Sequence, residues 1–263
     1  MTRTRRRLLG CALTIGLTLV LLGAIPSVQG RSDEATIDGF ARQVFLPLVL
    51  RSPSLPPEPT PLPPTPTPEP PAPGVYILDN SSSYVDSINY LHIVGEVQND
   101  TGHNLRFVKV TVNVFDNEGH LVATDFTYTT LRHLPAGEKV CFQVFVQEPE
   151  NWDYYEFEDP TYWTDGQQLP NLTVLNDSGS YDAIFGWYQI IGQVRNDHGT
   201  RVEFVKPVGT LYDATNTVIG CHWTYVNATD LDPDQVSSFN MVCPGRDYSD
   251  VASYRLQVDG WPE

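Results

Sequence analysis

The sequence predicts an all-β protein, two tandem antiparallel β-sandwiches behind an export segment and a proline-rich linker. Three observations lead there. Residues 73–153 return as residues 170–250 at a constant offset of 97, without a gap and with 20 identities in 81 paired positions. Within each copy apolar residues alternate with polar ones, and no stretch after Gly74 sustains a 3.6-residue period. The first 73 residues have a quite different composition.

In chain order, Arg3, Arg5, Arg6 and Arg7 precede Leu8–Ile25, an uncharged apolar run, followed by Val28-Gln29-Gly30. A basic start, an apolar run and small residues at a cleavage point make 1–30 a signal peptide cut after Gly30, with an uncleaved N-terminal anchor as the alternative. Residues 31–51 end in the short apolar run Val44–Leu50, interrupted by Pro47. Residues 52–73 hold 12 prolines in 22 positions, a Pro/Thr-rich linker with extended polyproline geometry. The two repeats occupy 74–164 and 171–263, joined by a short link.

Each repeat is read from its strands and turns. Val94-Gly95-Glu96-Val97-Gln98-Asn99-Asp100 returns as Ile191-Gly192-Gln193-Val194-Arg195-Asn196-Asp197, a strand with one buried face. Asn-Asp-x-Gly then closes a turn in both copies. Leu105–Val114 alternates again and ends at Asp116-Asn117-Glu118-Gly119, a hairpin turn. Leu121–Tyr128 and Val140–Val146 add two more strands. Asp116 and Asp213 recur at one position, where a carboxylate closing a turn competes with a calcium ligand.

These motifs resemble the FxLYD domain. The likeness rests on Gly-Glu-Val-Gln-Asn, a Val-rich strand ending in Phe115-Asp116, Thr127-Tyr128-Thr129 and Leu134-Pro135-Ala136-Gly137-Glu138. In the second copy it rests on Leu211-Tyr212-Asp213. The resemblance implies an immunoglobulin-like sandwich in exported or surface-attached prokaryotic proteins, and it implies no catalytic residues.

From Gly74 onward 27 acidic residues face 9 basic ones. That balance speaks against nucleic acid or an anionic membrane as partner. Membrane contact would come only through a retained N-terminal segment. No nucleophile elbow, phosphate loop, dinucleotide fingerprint or paired metal-ligand spacing occurs, so the expectation is a chain that is not an enzyme and uses no cofactor. Cys221 and Cys243 occur together in the second repeat of an exported chain, and a disulfide between them is expected, with two buried free thiols as the alternative. Cys141 is then the odd thiol, half-buried and inert or an intermolecular link. Aromatic residues crowd the segment 148–163 among carboxylates. Trp152, Tyr154, Tyr155 and Trp163 are its candidate ligand contacts, against a reading in which they bury in a last strand and an interdomain seam. The function expected is binding or presentation at the cell surface, with an envelope protein or glycan as partner. A structural spacer without a ligand is the alternative.

Overall fold

The computed structural model describes residues 74–147 and 151–263, together with the two-residue strand β1 (Arg6–Arg7). The chain divides into two compact units, and both repeats lie in the same one, which comprises Met1–Leu9 and Pro71–Glu263. The other unit, Gly10–Pro70, lies outside the described residues, and with it nearly all of the expected signal segment, the 31–51 segment and the linker. The described residues contain no helix, so none is long and apolar enough to cross a membrane.

The first repeat is a sandwich of two antiparallel sheets. Sheet B joins β2 (Val75–Ile77), β3 (Ser82–Val85), β4 (Tyr90–Asn99) and β8 (Lys139–Gln147). Sheet A centres on β5 (Asn104–Asp116), flanked by β6 (Leu121–Tyr128), β7 (His133–Leu134), β9 (Trp152–Phe157) and β10 (Thr161–Asp165). The second repeat matches it. Sheet C joins β11 (Leu172–Asp182), β12 (Trp187–Asn196) and β15 (Val236–Cys243), and sheet D joins β13 (Val202–Tyr212), β14 (Val218–Trp223) and β16 (Ser253–Pro262). By the offset of the repeats, sheet C corresponds to sheet B and sheet D to sheet A.

The repeated Gly-x-Val-x-Asn stretch explains itself in packing. Leu91, Ile93 and Val97 enter the first core, opposite Val110, Val112 and Val114 of β5. A Cβ on Gly95 would sit 2.7 Å from Cζ of Phe142, and one on Gly192 would sit 2.7 Å from Cζ of Phe239. Each glycine is therefore the floor beneath a core phenylalanine. Asn99 is fully buried and its Nδ2 donates to the carbonyls of His103, Leu134 and Pro135. Asn196 repeats this towards Thr200 and Leu231. A buried amide with its hydrogen bonds made ties the turn to a facing loop. Asp116 and Asp213 also hold turns, accepting backbone N–H from Glu118 and His120, and from Thr215 and Thr217.

The two repeats stack face to face. The alternation in β4 predicts a polar, solvated outer face, yet His92, Val94 and Glu96 are as buried as the core residues between them. The outer face of sheet B is covered by the outer face of sheet D, giving four layers in the order A, B, D, C. Val94 packs with Tyr212 and Val218 of the second repeat. Fully buried Glu96 accepts from Tyr212 Oη at 2.6 Å, from Asn80 Nδ2 at 2.8 Å and from Lys139 Nζ at 2.8 Å. Arg255 pairs with Glu138 and donates to the carbonyl of Lys139. His133 of β7 stands between Asp165 and Asp259, 3.2 and 3.4 Å from their carboxylates.

The disulfide lies in this seam. Cys141 bonds to Cys221, with Cα atoms 5.7 Å apart, and Cys243 is the free thiol. The expected Cys221–Cys243 bridge is thus corrected, and strand geometry gives the reason. Cys221 pairs with Thr210 on the outer face of sheet D, whereas Cys243 points inward with Ile190, Phe239 and Met241. Side chains on opposite faces cannot be bridged. Burial pushes the Cys243 thiol up to about 12.

Candidate functional site

Three of the four aromatics expected to contact a ligand are not available for it. Tyr155 belongs to the first core, Trp152 packs against that core, and Tyr154 is buried and stacked on Phe115 with ring centroids 5.1 Å apart. Their strand pairs along the C-terminal end of β5, where one face is core. Trp163 is different: it lies on β10 opposite Arg106 and is 64% exposed.

Trp163 is one end of an aromatic strip. Its ring meets Phe107 edge-on at 5.9 Å, Phe107 meets Tyr128 at 6.2 Å, and Tyr128 meets Phe126 at 6.2 Å. Phe107, Tyr128 and Phe126 are each about half exposed. All of these contacts are edge-on or steeply tilted rather than parallel stacks.

The second repeat carries the same strip. Phe204, Trp223 and Tyr225 stand 97 residues after Phe107, Phe126 and Tyr128. Trp261 pairs with Glu203 in the register at which Trp163 pairs with Arg106. All four are exposed, and Trp223 meets Tyr225 edge-on at 5.4 Å.

A backbone irregularity places the phenylalanines. Between Arg106 and Lys109, and again between Glu203 and Lys206, the strand carries an extra residue relative to its partner. Phe107 and Phe204 both take φ of +51° there. A left-handed conformation costs a bulky residue on the order of 1–2 kcal/mol. Both copies keep it, with a phenylalanine that a hydrophobic core does not require.

Cations accompany the rings. Arg106 lies over Phe107 at 5.5 Å and Trp163 at 5.8 Å, and Lys109 lies over Phe126 at 4.0 Å. In the second strip Lys206 lies over Trp223 at 5.5 Å and Arg132, contributed by the first repeat, over Trp261 at 3.2 Å. Burial lowers the pKa of both Lys206 and Arg132 from their ordinary values. Lys206 Nζ donates to the carbonyl of Thr130 across the seam.

The sequence held a signal for these strips. Phe107, Lys109 and Tyr128 are among the 20 positions identical in the two copies. An exposed aromatic retained through duplication is not a packing requirement, but without the bulge the alternation cannot show that Phe107 is outside.

No family profile matches the chain, and no curated protein matches it. Among solved structures, an exo-chitosanase of Amycolatopsis orientalis aligns at 10% identity and a TM-score of 0.24, over 70% of this chain and 26% of its own. A red sea bream transglutaminase aligns at 7% identity and a TM-score of 0.21, over 70% of this chain and 29% of its own. The matched region spans little more than a quarter of either protein, and similarity at this level carries no argument about function.

Proposed function

We propose that this is a non-catalytic binding module displayed outside the cell, whose two FxLYD-like, immunoglobulin-like sandwiches hold their aromatic strips out to a ligand of the cell envelope. The N-terminal basic-apolar segment supports export, and the Pro/Thr-rich linker suits a stalk that carries the sandwiches away from the surface. One observation carries the binding reading over the spacer reading: a strip of four exposed aromatics occurs at the same place in both repeats, in each case with a strained phenylalanine. A spacer needs no such feature, and exposed aromatic surface of this kind marks interaction sites.

The test is co-sedimentation of the full chain with whole cells, purified cell wall and insoluble polysaccharides. Saturable retention that falls in Phe126→Ala/Trp163→Ala and in Trp223→Ala/Trp261→Ala is expected. Equal retention of all three proteins, or no retention by any material, would return the chain to a spacer role.

A further inference from the structure

We infer that the strips take an anionic polysaccharide, with sugar rings on the aromatic faces and acidic groups on the cations beside them. This rests on the binding reading above and specifies its ligand. Nine basic residues follow Gly74. Five have carboxylate partners: Lys139, Arg195, Arg201, Arg246 and Arg255. The other four are Arg106, Lys109, Arg132 and Lys206. Among the described residues none of these four has a carboxylate oxygen within ion-pair distance of its charged nitrogens, and every one lies over a strip aromatic.

In a region with three times as many acids as bases, unpaired cations are the exception. All four stand at the two strips, Lys109 and Lys206 at equivalent positions of the repeats, with Arg106 at the first strip and Arg132 of the first repeat at the second, where Glu203 takes the place of Arg106; such clustering is not what a solvating surface charge produces. Nε of Arg106 and Nη1 of Arg132 are buried and have no hydrogen-bond partner among the described residues, so each guanidinium is held at its strip with one donor unsatisfied.

The strip geometry then selects the ligand's other property. Four exposed rings from β5, β6 and β10 form a continuous apolar strip across the sheet, which suits a chain of pyranose rings better than a compact anion. Equivalent sites in both repeats favour a polymer, since a second engagement on one chain raises overall affinity without new contacts. The acidic remainder of the surface repels polyanions at long range, so retention depends on these local groups.

The test uses immobilised polygalacturonate as the anionic glycan, dextran as the neutral one, and polyglutamate as a polyanion without sugar rings. Wild-type retention on polygalacturonate, at least tenfold above dextran and polyglutamate, is expected. Arg106→Gln/Lys109→Gln, which leaves the aromatics in place, should weaken it at least tenfold, and so should Phe126→Ala/Trp163→Ala. A thermal midpoint within a few degrees of wild type shows that each variant is folded. A sulfated dextran arm distinguishes sulfate from uronate as the acidic group. Equal retention on dextran, or on cells and walls but on none of the anionic glycans, would overturn the anionic specificity and leave the binding reading standing. Retention on polyglutamate as strong as on polygalacturonate would overturn it in favour of an acidic polypeptide. Retention by nothing at all removes both readings.

Discussion

Replacing the Cys141–Cys221 disulfide by two alanines tests the four-layer arrangement most directly. The bond spans 80 residues and joins the outer faces of two different sandwiches. By loop-closure entropy, opening it releases the unfolded chain by about 4.5 kcal/mol. Each 1 kcal/mol moves the midpoint of a unit this size by about 2–4 °C, so the double variant should melt roughly 9–18 °C lower. Stability alone cannot identify the bond, however. A Cys221–Cys243 bridge would close a loop of about 20 residues, worth about 3.3 kcal/mol, and the two figures differ by only about 1 kcal/mol. Peptide mapping of the unreduced protein supplies the distinction. A Cys141 peptide joined to a Cys221 peptide is expected, while Cys243 takes up alkylating reagent only after denaturation, because it is buried and its thiol is held near 12. A peptide joining Cys221 to Cys243, or Cys141 labelled in the native oxidised protein, would refute the stacking of sheet B on sheet D.

Three further perturbations follow from named contacts. Glu96→Leu leaves Lys139 and Tyr212 without their buried partner and should cost about 3–5 kcal/mol in urea denaturation, against about 1.5–3 kcal/mol for Tyr212→Phe. Gly95→Ala forces a methyl against Phe142 and should cost about 1–3 kcal/mol, as should Gly192→Ala against Phe239. Burial holds the His222 imidazole down at about 4, where the neutral ring lies 2.8 Å from Tyr248 Oη; Tyr84 and Gly220 also adjoin that tyrosine, and the His92 imidazole lowers His222 further. The unfolded chain takes up this proton near pH 6.5 and the folded chain only near pH 4, so stability is complete above pH 6.5 and falls as the pH falls. A loss of about 2 kcal/mol between pH 7 and pH 5 is expected, and His222→Gln should abolish that slope.

The fold was readable because it is written twice. Gly95, Asn99 and Phe142 are identical to Gly192, Asn196 and Phe239, and each has one structural task that both copies must perform. Period-two alternation located the strands, since each has one face on a core. The same pattern misled about β4. Its outward residues His92 and Glu96 are polar because they enter a hydrogen-bonded seam, and a polar side chain in a satisfied interface looks in sequence like one in water. The aromatic site was half legible for a related reason. Trp163 stood out within a crowded segment, but a crowd in sequence is split by the pleat, and three of its members turned towards protein. The partners of Trp163 came from β5 and β6, more than 30 residues earlier, through a bulge that no local composition announces.

The two copies have diverged at the contact that joins them. The contact sets the sheet B face of one repeat against the sheet D face of the next, so its two surfaces are different. Such head-to-tail contacts can propagate into filaments when the free faces retain the joining chemistry. Here they do not. At the corresponding positions of the other two sheets, Gln193 and Ser238 of sheet C stand where sheet B has Glu96 and Cys141, and Phe115 and Thr124 of sheet A stand where sheet D has Tyr212 and Cys221. The carboxylate, its phenol donor and both sulfurs of the disulfide are thus each present once, on the faces that meet. Gly95, Asn99 and Phe142, which serve the fold of both copies, stayed identical, while the carboxylate, the phenol and the two cysteines that join the repeats did not. Placing these groups at the corresponding positions, with Gln193→Glu, Ser238→Cys, Phe115→Tyr and Thr124→Cys, should therefore produce disulfide-linked oligomers under oxidising conditions. A variant that remains monomeric by sedimentation would show that the seam depends on more than these four positions.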